Sequence, residues 1–236
     1  MKVLVSGSTQ GIGYAIAAAF VKNGDEVFVH GSRDIAKAER ARAEIGAAHA
    51  VTANLGNMDE VAALYEKTGP VDVLILNASV QYKSFWLDAT EEDVDAQLAV
   101  NFKSTWKLMQ LYYPAMKENG FGRIVTVGSV NQYRNHPELS IYAATKCAVM
   151  SLVKNVAKFA APFGVTVNNI APGAIATPRN AEVIENAEKR AAVEKAIPMG
   201  RFGTPEDCVG AIMLLCSEAG AYITGEDIVM DGGMKL

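Results

Sequence analysis

Seven short runs rich in Val and Ile recur along the chain: KVLVSG (2–7), EVFVHG (26–31), HAVTANL (49–55), VDVLILN (71–77), GRIVTVGS (122–129), GVTVNNIAP (164–172) and EDIVMDG (226–232). None alternates cleanly between apolar and polar residues, so they predict strands buried on both faces of a parallel sheet. Parallel strands need crossovers, and helical segments supply them. IGYAIAAAFVKNG ends on Gly24 as a helix stop, and helical patterns run from about Glu91 to Glu118 and from Tyr142 to about Ala160. TPED (204–207), with Thr as cap, Pro at the first position and an acid at the third, opens a last helix to about Ser217. The alternation predicts a doubly wound α/β fold with a seven-stranded parallel sheet flanked by helices. One domain over 1–236 accommodates it. The polar, Ala/Glu-rich stretch 178–198 interrupts the alternation and reads either as a helical lid over a site or as a surface helix pair.

SGSTQGIG (6–13) lies between the first run and the first helix. Glycines there let the backbone turn sharply and approach a pyrophosphate, which the free N–H groups of a helix N-terminus attract. The spacing Gly7, Gly11, Gly13 differs from G-x-G-x-x-G. About 20 residues further on, a dinucleotide site carries an acid for a ribose 2′-hydroxyl or a basic group for a 2′-phosphate. The second run ends HGSRD, with Gly31 where the acid would stand, followed by Ser32 and Arg33. Without a carboxylate to repel it, a 2′-phosphate is tolerated, and a bond from Arg33 adds about 1.5 to 3 kcal/mol. NADP is therefore favoured over NAD, with Asp34 nearby as the opposing feature.

Two segments place a tyrosine four residues before a lysine, YPAMK (113–117) and YAATK (142–146), a spacing that stacks both side chains on one helix face. Position separates them. Ligands of open α/β sheets collect beyond the carboxyl ends of strands, where Ser129 closes the fifth run and Tyr142 starts the next helix. Tyr113 lies deep inside the preceding helix beside Pro114, and Lys117 sits at that helix's far end, so this pair reads as a surface or interface pair.

With SGSTQGIG, Ser129 and YAATK, the chain resembles the short-chain dehydrogenase/reductase family over essentially its whole length, and the ending YITGEDIVMDGG is similar to its 3-oxoacyl carrier-protein reductases. The resemblance implies a Rossmann-type domain. Ser6 stands for the family's Thr before the glycines, and Asn77-Ala78-Ser79 for its Asn-Ala-Gly, so Ser79 adds bulk beside the expected nicotinamide ribose. The resemblance assigns the cofactor Gly7, Thr9, Gln10, Gly11, Ile12 and Gly13, then Ser32 and Arg33, and Asn54 with Leu55 on the adenine side, where the family has Asp in place of Asn54. It adds Asn77, Ala78, Tyr142, Lys146, Pro172, Gly173, Ile175 and Thr177. The catalytic set it implies is Ser129, Tyr142, Lys146 and Asn101: Ser129 holds the carbonyl oxygen and Asn101 a water in a proton relay.

Carbonyl reduction needs a hydride on carbon and a proton on oxygen; the nicotinamide gives the first and a general acid the second. A free phenol, with a pKa near 10, is poorly poised. An ammonium about 4 Å away lowers that by roughly three units, about 4 kcal/mol at an effective dielectric of 20. Lys146 is the candidate for this effect, and it also bonds the nicotinamide ribose by resemblance. A lysine seven residues after the tyrosine would suit the family's enoyl reductases, but position 149 is Val. The expected function is reversible NAD(P)H-dependent reduction of a small ketone or aldehyde. A 3-oxoacyl carrier-protein reductase is the alternative; it needs a basic docking patch, for which Arg134, Lys103 and Lys107 are candidates. A non-catalytic dinucleotide sensor would tolerate loss of Tyr142 or Lys146, and both are present.

The formal net charge of −4 gives no electrostatic footprint for nucleic acid or an anionic membrane. Cys147, Cys208 and Cys216 are widely spaced and leave one over if paired, so reduced thiols are expected. His30, His49 and His136 lack ligand spacing, and the chemistry requires no metal. VLV after Met1 and Lys2 is too short for a signal peptide, and no apolar run reaches membrane length, so a cytoplasmic location is expected. By resemblance alone the assembly is a homotetramer or homodimer.

Overall fold

A computed structural model describes residues 1–236. All seven runs form strands: β1 (Lys2–Val5), β2 (Glu26–Gly31), β3 (His49–Thr52), β4 (Val73–Leu76), β5 (Gly122–Val127), β6 (Val165–Pro172) and β7 (Asp227–Met230). They make one sheet in the order β3-β2-β1-β4-β5-β6-β7, and every pairing is parallel. Both faces are covered. In β4, Val73 and Ile75 enter one core with Val3, Val5, Ile16 and Ile212, while Leu74 and Leu76 enter the other with Leu4, Leu64, Tyr112 and Val167. A two-residue period with apolar groups on both sides leaves no polar alternation to read, as the runs predicted.

The first core lies under α1 (Gly11–Lys22), α2 (Ile35–Ile45) and the last long helix; the second lies under α3 (Met58–Thr68) and the helices between β4 and β6. The helical stretch predicted from about Glu91 to Glu118 is present but not uniform. It runs as α4 (Glu91–Gln97), a π-helical segment (Leu98–Lys103) and α5 (Ser104–Asn119). The hydroxyl groups of Ser104 and Thr105 donate to the carbonyls of Val100 and Asn101, four residues back, at 2.6 and 2.9 Å. Such back-bonding by Ser and Thr to the preceding turn accompanies local departures from regular helix.

Next come α6 (Ser140–Ala160), two short helices α7 (Ala181–Glu185) and α8 (Ala187–Lys195), and α9 (Val209–Cys216). TPED starts as a 3₁₀ turn, Pro205–Cys208, ahead of α9; the Asp207 carboxylate accepts the Thr204 N–H at 2.7 Å and thereby caps it. No helix is long and apolar enough to cross a membrane. The three cysteines are unpaired, with Cys208 and Cys216 buried and Cys147 exposed.

Candidate active site

Because all strands point the same way, the carboxyl ends of β1, β4, β5 and β6 lie along one edge. The chain reverses its order of sheet growth between β1 and β4, which opens a crevice there. A cavity of about 560 Å³ fills that edge, within the size range of small-molecule sites.

The glycine turn builds one wall. Gly7 and Gly11 adopt positive φ values of 64° and 61°, and a side chain on Gly13 would collide with the Asn77 amide and the Gly7 carbonyl at 2.5 Å. The first needs are conformational, the last is close packing. Ser6 ties the turn to the end of β4: its hydroxyl accepts the N–H groups of Asn77 and Ala78 at 3.0 and 3.1 Å, and the Asn77 amide donates to the carbonyls of Ser6 and Gly7 at 2.9 Å. The N-terminus of α1 has no side-chain cap and no acid in its first turn. Free N–H groups at a helix start beside a Gly-lined cleft are what a pyrophosphate requires.

His30, absent from the expected site, completes this wall. It is buried; Nδ1 accepts the Gly7 N–H at 3.0 Å, which leaves Nε2 to donate to the Ala53 carbonyl at 3.2 Å. Burial pushes its pKa down to about 4, so it is neutral at physiological pH and keeps the lone pair that Gly7 needs. The signal in the sequence was a histidine at the carboxyl end of a buried strand, where an uncompensated charge is costly.

Where the ends of β2 and β3 meet the glycine turn, Thr9, Gln10, Ser32, Asn54 and Leu55 line the cavity. Arg33 is exposed and does not line it. Lys37, one turn into α2, does, and its ammonium donates to the Gln10 side chain. The basic group that faces this end is therefore four residues beyond the expected one, because the chain enters α2 directly after Arg33. Asp34 is spent on capping that helix, accepting the Lys37 N–H at 2.9 Å.

At the other end, Ser129, Tyr142, Asn77, Ala78, Pro172, Gly173, Ile175 and Thr177 share the cavity wall with Gly7, Gly11 and Ile12. Ser129 is held from behind. Its N–H donates to Gln132 Oε1 at 2.9 Å, Gln132 donates to Asp227 at 3.0 Å, and Asn169 donates to the same carboxylate at 2.8 Å. Its hydroxyl oxygen accepts only the Asn131 N–H, at 3.2 Å, which leaves the Ser129 O–H free to donate. Lys146 is fully enclosed one turn behind Tyr142, its Nζ 5.6 Å from the phenol ring centre and donating to the Val127 carbonyl at 2.7 Å. Burial, and then the charge of Arg179, push its pKa down to about 7.

Asn101 does not reach the cavity wall. Its amide oxygen accepts the Val80 N–H at 2.9 Å, and its two amide hydrogens go to the Val80 carbonyl at 2.9 Å and Thr145 Oγ1 at 3.2 Å. Both amide hydrogens are committed to fixing the 77–80 segment against α6. The rival tyrosine is far from this edge. Tyr113 packs against Phe159 with ring centres 5.8 Å apart, Lys117 lies over Phe163 at 4.2 Å, and neither lines the cavity.

Ser79 has a partner that its position alone did not announce: Arg179 Nη2 donates to its carbonyl at 2.8 Å and to its hydroxyl at 3.0 Å. Val183 of α7 and Val193 of α8 also line the cavity, so the 178–198 stretch borders it.

Comparison with known proteins places these features in context. A family model described as Enoyl-(Acyl carrier protein) reductase matches residues 7–235. The chain is 37% identical to the bovine (Bos taurus) Dehydrogenase/reductase SDR family member 4, over 98% of this chain and 85% of that protein. It is 34% identical to the 3-oxoacyl-(acyl-carrier-protein) reductase FabG of Aquifex aeolicus, over 98% and 96%. A crystal structure of a 3-oxoacyl (acyl-carrier-protein) reductase from Agrobacterium tumefaciens C58 with NADP bound superposes with a TM-score of 0.92 at 37% identity, over 98% and 93%.

Proposed function

Since the chain belongs to the short-chain dehydrogenase/reductase family, an oxidoreductase family acting on CH–OH groups with NAD(P), we propose that it is an NADP-dependent carbonyl reductase with Tyr142 as its acid and base. The observation that carries this reading is the meeting, on one cavity wall, of the glycine turn, Ser129 and Tyr142, with Lys146 enclosed one turn behind the phenol. The dinucleotide, when bound, supplies the hydride. Its pyrophosphate would be held by the first N–H groups of α1 and its carboxamide by the Pro172 to Thr177 segment. The free Ser129 O–H donates to the substrate oxygen, and Tyr142 delivers a proton to that oxygen as charge develops on it. Lys146 places a positive charge one turn behind the Tyr142 ring, where it stabilises negative charge that develops during the proton transfer. Asn101 contributes by holding the Val80 backbone and thereby the nicotinamide end of the wall.

The 178–198 helices act as the substrate lid of this single-domain enzyme. Two supporting features bear on its setting: three free thiols fit the cytoplasm, and exposed Trp106, Phe159 and Phe163 on and after α5 and α6 fit a homodimer or homotetramer face.

The FabG relatives favour a second reading, reduction of 3-oxoacyl thioesters on carrier protein. Both readings use the same chemistry, and the four-residue Tyr142 to Lys146 spacing, with Val149 at the seventh position, supports a ketone rather than an enoyl substrate. NADPH oxidation followed with a panel of ketones, sugar acids and acyl thioesters tests the proposal. Turnover of ketones is expected; no oxidation with any carbonyl compound rejects it, and a requirement for the carrier protein selects the second reading.

The adenosine end yields its own prediction. Gly31→Asp places a carboxylate where a 2′-phosphate would lie, at the cost of crowding Thr9 Cγ2, 3.3 Å from the new Cβ. The ratio of kcat/KM for NADPH over NADH should fall by about 10- to 100-fold, reversing the preference. An unaltered ratio would show that the pocket does not read that position.

A further inference from the structure

Acids are 26 of the chain's 236 residues, yet among the 40 residues that line the cavity there is no Asp and no Glu. Four strong cations do line it: Lys37, Lys83, Arg134 and Arg179. In a chain of net charge −4 this is a local inversion of sign. A dinucleotide phosphate accounts for Lys37, which stands with Gln10 and Ser32 at the adenosine end. The other three come from the segments after β4, β5 and β6 and stand at the opposite end of the cavity, around Ser129 and Tyr142.

Arg179 is the most committed of them. Two bonds from a single nitrogen, Nη2, tether it to Ser79 across the mouth of the site. Nε and Nη1 make no hydrogen bond to the chain, and no acid pairs with the guanidinium. Its charge is felt at Lys146, which puts it near the reacting end. The acid on the adjoining helix, Glu182, is bound to Lys189 and not to Arg179. A guanidinium fixed by one corner keeps its Nε–H and Nη1–H groups free, so it offers single charge-assisted hydrogen bonds to a carboxylate. Arg134, without an ion-pair partner, and Lys83, whose charge also reaches Glu182, add to the positive potential of a partly enclosed cleft.

We propose that the substrate is a carbonyl compound carrying a carboxylate, which Arg179 anchors with its tethered guanidinium while Ser129 and Tyr142 serve the carbonyl oxygen. The inference rests on the reading of Tyr142 as the proton donor. It gives Ser79 a function: its hydroxyl is half of the tether, and a glycine there would leave the carbonyl alone.

The test pairs 3-oxobutanoate, 4-oxopentanoate and 5-oxohexanoate with their methyl esters as substrates of the NADPH-loaded enzyme, with dihydroxyacetone phosphate as a further arm. At least one acid should exceed its ester about 10- to 100-fold in kcat/KM, the range of one charge-assisted contact. Arg179→Gln should collapse that ratio mainly through KM for the acid, and Arg179→Lys should restore part of it. Equal use of acids and esters, preference for the phosphate, or an acid-to-ester ratio untouched by Arg179→Gln overturns the proposal. Should no compound be reduced, the reductase reading fails by itself. The carboxylate inference is then decided by thermal stabilisation of the NADPH-loaded protein: 4-oxopentanoate but not its methyl ester should raise Tm in the native chain, and neither should in Arg179→Gln. Stabilisation by both or by neither in the native chain overturns it.

Discussion

Tyr142→Phe should lower kcat for carbonyl reduction by about 10²- to 10⁴-fold, the range in which a positioned proton donor contributes. The substitution removes one oxygen atom and keeps the ring, which is buried at the start of α6 and holds its place by packing. The fold should therefore persist, and NADPH affinity should change by less than about tenfold, because the glycine turn, the α1 N-terminus and the Pro172 to Thr177 segment are untouched. Steady-state NADPH oxidation and fluorescence titration separate the two quantities. Turnover retained within a factor of ten would mean that some other group protonates the oxygen. Absence of turnover in the native enzyme, together with tight NADPH binding, would instead identify a dinucleotide sensor.

Lys146→Met should have effects of comparable size on rate and, less intuitively, should raise stability at neutral and acidic pH. The ammonium acts on the phenol only while it is protonated, and its pKa of about 7 lies well below the ordinary lysine value. Removal of that charge should cost about 10²-fold in kcat, the scale of the roughly 3 kcal/mol that two unit charges 5.6 Å apart exchange at an effective dielectric of about 20. For stability, the folded chain gives up its proton near pH 7, whereas the unfolded chain keeps it to about 10.5. Between those values the unfolded state binds more protons, so the stability contributed at this position rises with pH. Below about pH 7 the buried ammonium imposes its full cost, a few kcal/mol. The methionine variant avoids that cost but leaves the Val127 carbonyl without its partner, an offset of about 1 to 3 kcal/mol. Whatever the offset, Tm of the variant minus Tm of the native protein should be larger at pH 6 than at pH 10. A difference that does not vary with pH would show that Lys146 remains charged in the folded state.

The sheet was legible because buried parallel strands leave a direct compositional trace, and all seven runs became strands with only their ends trimmed. The contest between two Tyr-x-x-x-Lys segments was also decidable, since strand ends and helix starts locate the rim before any coordinates exist. Other features had no local trace. The π-helical segment carries Asn101, whose partners Val80 and Thr145 lie 21 and 44 residues away along the chain, and a helical pattern cannot report such tertiary contacts. Lys37 lines the cavity and Arg33 does not, because Arg33 precedes the Asp34 cap while Lys37 stands inside α2, a helix whose start was not read from the sequence. Arg179 was hidden for a different reason. Its meaning comes from Ser79, 100 residues away, and from acids that are missing across the whole lining, a property of the assembled surface and not of any segment.

The Asp227 carboxylate ties the Ser129 loop to the last strand, and this has a consequence for biosynthesis. Gln132 and Asn169 converge on a residue of β7, 95 and 58 positions further along the chain. During translation the dinucleotide half of the protein can condense while the ribosome is still at work. The serine loop must wait for β7 to be made and paired, so a nascent chain that stops short of that strand would set its glycine turn before its serine loop.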